Sequence, residues 1–257
     1  MVSPLVCVKR VVDSSSEVVL TEDGQGVDGR FAGFTMSAHE ECAVELAVRI
    51  AGAEGGGATV MTVGDADAVE QLRGALAVGC TAATHVLADP QAFGPADVAR
   101  EIAAVVRDHE AAGTPHQLVL LGNDAADSGD FQVGIRLAYE LGWPVVNGVS
   151  TVSVSGGEVT ASGSGPDGYE TFRVPLPAVV TVLEGGVEPR YPTVPGRMKA
   201  KKAPIEERRP TADPVGPSRV RLVLPLPSAS TVQVLGEGPA SAPAVVDLFE
   251  QLGVLAR

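Results

Sequence analysis

Hydrophobic positions along residues 1–141 switch repeatedly between two spacings. Short β-branched apolar runs are typical of buried strands, whereas apolar residues three or four positions apart are typical of helices. The clearest helix follows Ser37, which forms a capping-box pattern with Glu40, and it ends at the glycines after Glu54. The predicted strands are Pro4–Val12, Thr59–Val63, Thr84–Leu87 and Gln117–Leu121, and the other predicted helices are Ala66–Val78, Ala96–Glu110 and Phe131–Leu141.

This alternation predicts an α/β fold, because strands separated by helices imply right-handed crossovers and a mostly parallel, doubly wound sheet. After Pro144 the pattern changes to short segments rich in Gly and Ser, which predict a β-hairpin insertion. The predicted strands of this part are Val149–Val154, Glu158–Ala161 and Tyr169–Val174, followed by a return to the sheet at Pro177–Val182.

The end of the chain carries a predicted apolar strand, Arg219–Leu224, which stops at Pro225. A connector rich in Gly and Pro then leads to a short predicted helix, Ala244–Leu252. A helix on a loose connector is typical of an arm. We therefore expect an α/β domain over residues 1–235 and a C-terminal arm over residues 236–257.

Composition excludes several classes of protein. The formal net charge of −13 argues against nucleic-acid binding, because only one segment is basic and it could not neutralise a row of phosphates. No apolar run approaches about eighteen residues, and Lys9 and Arg10 interrupt the first apolar stretch, so neither a membrane-spanning helix nor a secretion signal is expected. Three scattered cysteines fit buried hydrophobic positions in a reducing, cytoplasmic compartment; they are Cys7, Cys42 and Cys80.

One segment departs from the acidic character of the chain. Residues 188–205 read EPRYPTVPGRMKAKKAPI, and extending the window to Arg209 gives seven basic against three acidic residues. Pro189, Pro192 and Pro195 favour an exposed, semi-rigid loop that offers Tyr191, Val194 and Met198 to an acidic partner. The alternative interpretation is a solvated basic loop that precedes a helix.

A second candidate site is the loop Gly122–Asp130, between a predicted strand and a predicted helix. Parallel sheets bind ligands outside the carboxyl ends of their strands, and the N-terminus of a helix favours a phosphate. Gln132 and Gly134 could line such a site. Three aspartates in the loop weigh against an anion, and Asp130 could simply cap the helix.

Three other motifs carry no chemistry in our interpretation. The GSGPDG of Gly163–Gly168 precedes a β-rich segment instead of a helix, so it predicts a hairpin turn. The HEEC of His39–Cys42 lacks the second histidine of a zinc motif. No serine has the surroundings of a nucleophile. We predict no catalytic residue and no metal ligand.

Taken together, several stretches make the chain resemble the β subunit of electron-transfer flavoprotein over nearly its whole length. The order and spacing of these stretches carry the resemblance. They are Val6–Asp13, Ala43–Ile50, Leu72–Gly79, Gln117–Pro144, Leu176–Val182 and the basic segment that starts at Glu188.

The resemblance implies an adenine-nucleotide-hydrolase-like domain that pairs with a larger α subunit holding most of a redox-active FAD. Such a heterodimer takes electrons from flavin dehydrogenases, such as acyl-CoA dehydrogenases of fatty acid β-oxidation, and passes them to a quinone oxidoreductase. The β cleft of the family holds AMP, or a second FAD in bifurcating members. That cleft maps onto Cys7, Ser37, Ala38, His39, Glu40, Gly64, Asn123, Asp124, Ala125, Ala126, Asp127, Gly129, Gln132, Val133 and Gly134.

The family's recognition loop corresponds here to residues 184–205, which we call the 184–205 segment. Val194 stands where the family has a leucine that anchors the dehydrogenase, and its shorter side chain is expected to weaken or retune that contact. The resemblance assigns partner docking to Arg190, Tyr191, Pro192, Val194, Pro195, Met198 and Lys199.

The sequence departs from the family at several positions. Ser37–Ala38 replaces a common Asn-Pro, and Phe131 and Val133 replace the Asn and Thr that flank the glutamine in AMP-binding members. Ser14 stands where an aromatic residue often covers the flavin, and Gly163 replaces a basic residue of the hairpin signature. The occupant of the cleft therefore stays open between AMP, FAD and none.

Two further functions are weighed against the electron carrier. The first is an adenine-nucleotide-binding sensor or scaffold that kept the fold and lost the electron partner, an alternative that the departures in the nucleotide loop and at Ser14 keep open. The second, an enzyme with its own active site, has the least support, because no catalytic constellation is present.

Overall fold

The structure is a computed structural model that describes residues 1–13, 15, 17–216, 221–226 and 232–254. It contains two compact units, Met1–Leu222 and Val223–Arg257. The division at residue 235 that the sequence suggests stays a prediction.

The first unit is built on a seven-stranded sheet in which every pairing is parallel. The strand order is β12-β5-β4-β1-β6-β11-β7, so the chain leaves β1 in both directions and the topological switch point lies between β1 and β6. The sheet strands are β1 (Pro4–Cys7), β4 (Thr59–Gly64), β5 (Ala82–Leu87), β6 (Leu118–Gly122), β7 (Val145–Val149), β11 (Ala178–Val182) and β12 (Glu206–Arg208).

Helices cover both faces of this sheet because its central strands are apolar on both sides. Val6, Leu118 and Leu120 point to one hydrophobic cluster, which contains α1 and α2. Leu5 and Val119 point to the other, which contains α3 and α4. The doubly wound α/β prediction is confirmed. The helices are α1 (Ala38–Ala53), α2 (Val69–Val78, after a 3-10 turn at Ala66–Ala68), α3 (Pro95–Ala111), α4 (Val133–Leu141) and α5 (Val194–Lys202).

The predicted hairpin insertion is also confirmed. It is an antiparallel sheet of β8 (Thr151–Ser155), β9 (Glu158–Gly165) and β10 (Gly168–Pro175). Gly165 pairs with Gly168 across the turn, so the GSGPDG motif is the hairpin turn that the sequence analysis expected. The residues that follow return to the large sheet as β11.

Four local predictions are wrong. The strand predicted over Pro4–Val12 stops at Cys7, and β2 (Val11–Val12) pairs instead with β3 (Phe34–Thr35) in a separate ribbon. The predicted strand Val149–Val154 is two strands, because β7 ends at Val149 and β8 begins at Thr151. Among residues 221–226, which include the described part of the predicted strand Arg219–Leu224, none is in a strand. Residues 219 and 220 lie outside the described residues.

The fourth correction concerns the 184–205 segment, which the sequence analysis expected to be a loop throughout. Its second half is the helix α5, since Thr193 supplies an N-cap whose hydroxyl accepts the amide hydrogen of Gly196 at 3.1 Å. Pro195 falls in the first turn of α5, where a missing backbone donor costs nothing. The prolines therefore mark the start of a helix.

The second unit contains a 3-10 turn, Gly238–Ser241, and the helix α6 (Ala242–Gln251). This is the helix predicted over Ala244–Leu252, with both ends shifted by one or two residues. In the described part of the chain, no helix combines the length and the apolar character needed to cross a membrane.

Candidate functional site

The carboxyl ends of β4, β1 and β6 lie together at one edge of the sheet, beside the switch point between β1 and β6, where the resemblance places the nucleotide cleft. Cys7 and Gly64 end β1 and β4, and both are buried. Gly122 ends β6, and the N-terminus of α1 sits directly on it: an ideal Cβ at Gly122 would be 2.8 Å from Cγ of Glu40 and 3.2 Å from Cβ of His39. The glycine at this position therefore makes room for α1.

Ser37 and Glu40 form the capping box that the sequence predicted. The backbone amide and the hydroxyl of Ser37 donate to Oε2 of Glu40 at 3.0 and 2.9 Å, and the amide of Glu40 donates to the Ser37 hydroxyl at 3.3 Å. The backbone amide of Lys9 donates to Oε1 of the same carboxylate at 2.8 Å. Burial raises the pKa of Glu40 to about 7, although these donors act in the opposite direction.

The ammonium group of Lys9 and the imidazole of His39 contact the loop that follows β6. His39 Nε2 lies 3.2 Å from Oδ1 of Asp124, and Lys9 Nζ lies 2.7 Å from Oδ1 of Asp127. Two of the three loop carboxylates that weighed against an anion therefore have partners. The sequence analysis identified His39 and both aspartates as site residues but missed Lys9, since nothing local connects residues 118 positions apart.

A network of uncharged polar groups forms the base of the loop. The hydroxyl of Thr181, on β11, donates to Oδ1 of Asn123 at 2.7 Å and accepts the amide hydrogen of Gly148 at 2.9 Å. The backbone amide of Asn123 donates to the carbonyl oxygen of Val182 at 2.9 Å. Thr181 was not predicted, because a lone threonine inside an apolar strand gives no signal of its own.

The start of α4 differs from the sequence prediction. The helix begins at Val133, and its N-cap residue is Gln132, whose side chain makes no cap bond. Asp130 therefore does not cap the helix, and that alternative is wrong. The Gln132 side chain accepts instead from Arg136, at 3.0 Å from Nε and 2.8 Å from Nη2. Phe131 delays the helix because its φ of 53° is left-handed.

The remaining loop residues have distinct surroundings. Ala125 accepts, through its carbonyl oxygen, the amide hydrogens of Ser128 and Gly129. Gly129 has a φ of 57°, which favours glycine. Val133 packs against the core, and Ala38 and Ala126 are exposed. Gly134 is buried against β11, where an ideal Cβ would be 2.4 Å from Cγ2 of Thr181.

The cleft residues are compatible with a nucleotide phosphate. A helix that starts without a side-chain cap leaves its first amide groups for an anion, and the helix dipole favours negative charge there. Lys9 offsets part of the negative charge of the loop. Burial raises the pKa of the Cys7 thiol, which keeps this wall of the cleft uncharged. Ser14, which the resemblance places near a flavin, lies outside the described residues.

The 184–205 segment presents apolar side chains at the surface. Tyr191, Val194 and Met198 are 90%, 72% and 63% exposed, and the last two lie one turn apart on α5. The opposite side of α5 packs on α2, where Ala200 is buried and an ideal Cβ at Gly196 would be 2.4 Å from the carbonyl oxygen of Ala77. Pro192 is half-buried, and Pro195 and Lys199 are exposed.

Arg190 has a different environment from the other predicted docking residues. Its Nε and Nη2 donate to the Glu45 carboxylate at 2.7 and 2.9 Å, and its backbone amide donates to the same group at 3.2 Å. The Arg190 guanidinium holds the pKa of Glu45 down to about 2. The sequence analysis missed Glu45, because it reads as one more polar position on α1.

Comparison with known proteins places this geometry in a family. Residues 30–213 match the family model of the electron transfer flavoprotein domain. The electron transfer flavoprotein subunit beta of Bacillus subtilis (strain 168) is 33% identical over 207 residues, 79% of this chain and 77% of the relative. The subunit beta of Bradyrhizobium diazoefficiens is 36% identical over 207 residues, 79% of this chain and 80% of the relative. The human subunit beta is 36% identical over 210 residues, 80% of each chain. The chain therefore belongs to the family of electron transfer flavoprotein β subunits.

Proposed function

We propose that this chain is the smaller half of a heterodimer that carries electrons from flavin dehydrogenases, such as acyl-CoA dehydrogenases, toward a quinone oxidoreductase. A larger α subunit holds most of the FAD, and this chain completes the complex and offers the docking surface. The observation that carries the proposal is the exposure of Tyr191, Val194 and Met198 within a basic segment of an acidic chain.

The physical demands of electron transfer support this role. Carrier and donor must meet quickly and separate quickly, so a small interface with an apolar anchor surrounded by charge suits the task. Val194 is such an anchor, because it is 72% exposed and Arg197 and Lys199 follow it on α5. The charge steers encounter with an acidic partner, while the apolar contact fixes the docked position.

The cleft gives the chain a second role, as a nucleotide holder. We assign the phosphate to the first turn of α4 and the Asn123–Gly129 loop, and we assign to the same site Cys7 and Gly64, at the carboxyl ends of β1 and β4. AMP fits a simple carrier, and a second FAD fits a bifurcating one. FAD bound by the complex supplies the reversible acceptance of electrons. The residues of this chain bind the nucleotide, orient it and shield it from water.

The test of the docking role is the variant Val194→Asp in the complete heterodimer. We expect electron acceptance from the dehydrogenase to slow about tenfold or more, because a charge replaces the apolar anchor. The FAD content should not change. The control is Val215→Asp, which makes the same change at a valine 86% exposed. A normal transfer rate in Val194→Asp contradicts the docking role.

A second candidate is an adenine-nucleotide sensor that works without the electron partner. It is favoured by the cleft, whose α4 helix starts without a side-chain cap while Phe131 and Val133 depart from the family's polar pattern. The two functions predict different colours and different subunit stoichiometries for the purified protein. A yellow complex with an equal amount of a longer chain supports the carrier, whereas a colourless monomer that binds adenine nucleotide supports the sensor.

A further inference from the structure

Helix α1 holds the start of the 184–205 segment at three points with a regular spacing. His39 Nδ1 accepts the amide hydrogen of Glu184 at 2.9 Å, and Cys42 Sγ donates to the carbonyl oxygen of Val187 at 3.4 Å. Glu45 accepts the amide hydrogen of Arg190 at 3.2 Å. Each pair is three residues beyond the previous one on both partners. The segment therefore runs alongside α1 in register, at about 4.5 Å for every three helical residues.

Of these three residues of α1, Glu45 makes the most hydrogen bonds to the segment. Its side chain is 2% exposed, and the backbone amide, Nε and Nη2 of Arg190 all donate to its carboxylate. Arg49, one turn further along α1, donates to it as well. A carboxylate this buried needs such partners, and a bidentate arginine fixes direction as well as distance. Arg190 is therefore held from within the fold, although its guanidinium is partly exposed.

The other end of the segment is fixed by a different helix. Arg73, on α2, donates to the carbonyl oxygens of Ala200 and Ala203 at the C-terminus of α5. A cation at this position also complements the helix dipole. These contacts, before and after α5, oppose rolling of the helix on α2 and favour the outward placement of Val194 and Met198.

We propose that Glu45 is a positioning residue for electron transfer: by holding Arg190 it directs the start of α5, so that Val194 and Met198 face the dehydrogenase. The proposal rests on the docking function proposed above. It reassigns Arg190, whose guanidinium serves the fold and not the partner. Glu45 itself, buried under the segment, touches neither the dehydrogenase nor a cofactor.

The test uses the variant Glu45→Gln in the complete heterodimer, with Glu110→Gln as the matched control on an exposed part of α3. Glutamine keeps the size of the side chain but loses the charge and one acceptor. We expect amide hydrogens of α5 to exchange at least about tenfold faster. The KM of the dehydrogenase for the carrier should rise about fivefold, with kcat changed less than about twofold, because docking and not the chemical step is affected.

A double variant distinguishes positioning from a general loss of stability. If Glu45 acts through the anchor, adding Glu45→Gln to Val194→Asp changes KM little further, since the surface that it positions is already lost. Additive effects contradict the proposal. Arg190→Gln repeats the test from the exposed side of the pair and covers the case in which Glu45→Gln fails to fold.

The outcomes separate this proposal from the docking function. Unchanged exchange in α5 in the folded Glu45 and Arg190 variants overturns the positioning role. Faster exchange with an unchanged KM also overturns it; the docking function then survives if Val194→Asp alone slows transfer, and falls if it does not. Faster exchange with a raised KM and no additivity supports both.

Discussion

Glu40 stabilises the start of α1, but the free-energy cost of burying its carboxylate depends on pH. Its carboxylate receives the amide and hydroxyl of Ser37 and the amide of Lys9, which joins α1 to the end of β1. The same group is buried, and burial disfavours the charged form more than the donors favour it. The pKa of Glu40 is therefore raised from 4.5 to about 7.

This shift predicts how stability changes with pH. Between pH 4.5 and about 7 the folded chain binds a proton at Glu40 that the unfolded chain releases, so the free energy of unfolding falls as pH rises through this window. In Glu40→Gln that contribution is absent. We expect the parent to lose stability relative to the variant from pH 4.5 to 7 and the difference to level off above pH 7.

Urea unfolding of both proteins at several pH values measures this difference. The glutamine also alters the hydrogen bonds at the cap, but that effect does not depend on pH. It therefore changes the free energy of unfolding of the variant by the same amount at every pH. Parallel stability curves across the window contradict the assignment.

At the scale of elements, glycines decide how closely the helices of the cleft approach the sheet. Gly122 lets α1 lie on the end of β6, and Gly134 lets α4 lie on β11. At Gly134 an added Cβ would be 2.4 Å from Thr181 Cγ2, and Thr181 holds Asn123 at the base of the loop. A change in this helix contact is therefore transmitted to the loop.

We expect Gly134→Ala to lower the free energy of unfolding by about 1–3 kcal/mol, because α4 must move away from β11. The matched control is Gly74→Ala in α2, where no atom lies within 4 Å of the added Cβ. That change should raise stability by about 0.5–1 kcal/mol, since alanine is the better helix residue. Urea unfolding measures both. A neutral or stabilising effect at Gly134 contradicts the packing described for α4.

The helix α5 shows where local sequence rules mislead. Three prolines and several basic residues predict a loop, and Pro192 and Pro195 are exposed or half-buried as a loop would have them. Thr193, however, caps a helix, and Gly196 allows that helix to approach the Ala77 carbonyl oxygen. Packing on α2 therefore adds to the stability that the cap and the lysines in the last turn give this helix.

At the scale of the whole molecule, the chain combines a strongly acidic charge with one basic segment, residues 188–209. A net charge of −13 repels other acidic proteins at a distance, so we expect the basic segment to set the direction from which an acidic partner approaches. The proposed nucleotide site uses other elements, the loop after β6 and the start of α4. We therefore expect substitutions in α5 to leave nucleotide binding unchanged.

Counting cofactors in the purified complex tests the proposal at this scale. When the chain is produced with its larger partner, we expect a yellow heterodimer with at least one FAD. Extraction should also release a nucleotide from the cleft: one AMP for a simple carrier, or a second FAD for a bifurcating one. A chain that acquires no partner and stays free of flavin when one is supplied contradicts the carrier function.

The sequence alone determined the central strands of the sheet, the helices α1 to α4 and the hairpin. It also determined the capping box of Ser37 and Glu40. These features follow from hydrophobic spacing, caps and turns, which act between residues close together in the chain. Chain order then fixes which ends of the parallel strands meet at one edge.

Only the tertiary structure decided the groups that complete the two sites. Glu45 and Arg190 are 145 positions apart and Lys9 and Asp127 are 118 apart, so no local pattern connects them. The edge strand β12 has only three residues, and β12, the edge strand β7 and the helix α5 gain their stability from the neighbours on which they pack. Such contacts depend on where distant parts of the chain come to lie, and hydrophobic spacing carries no record of that.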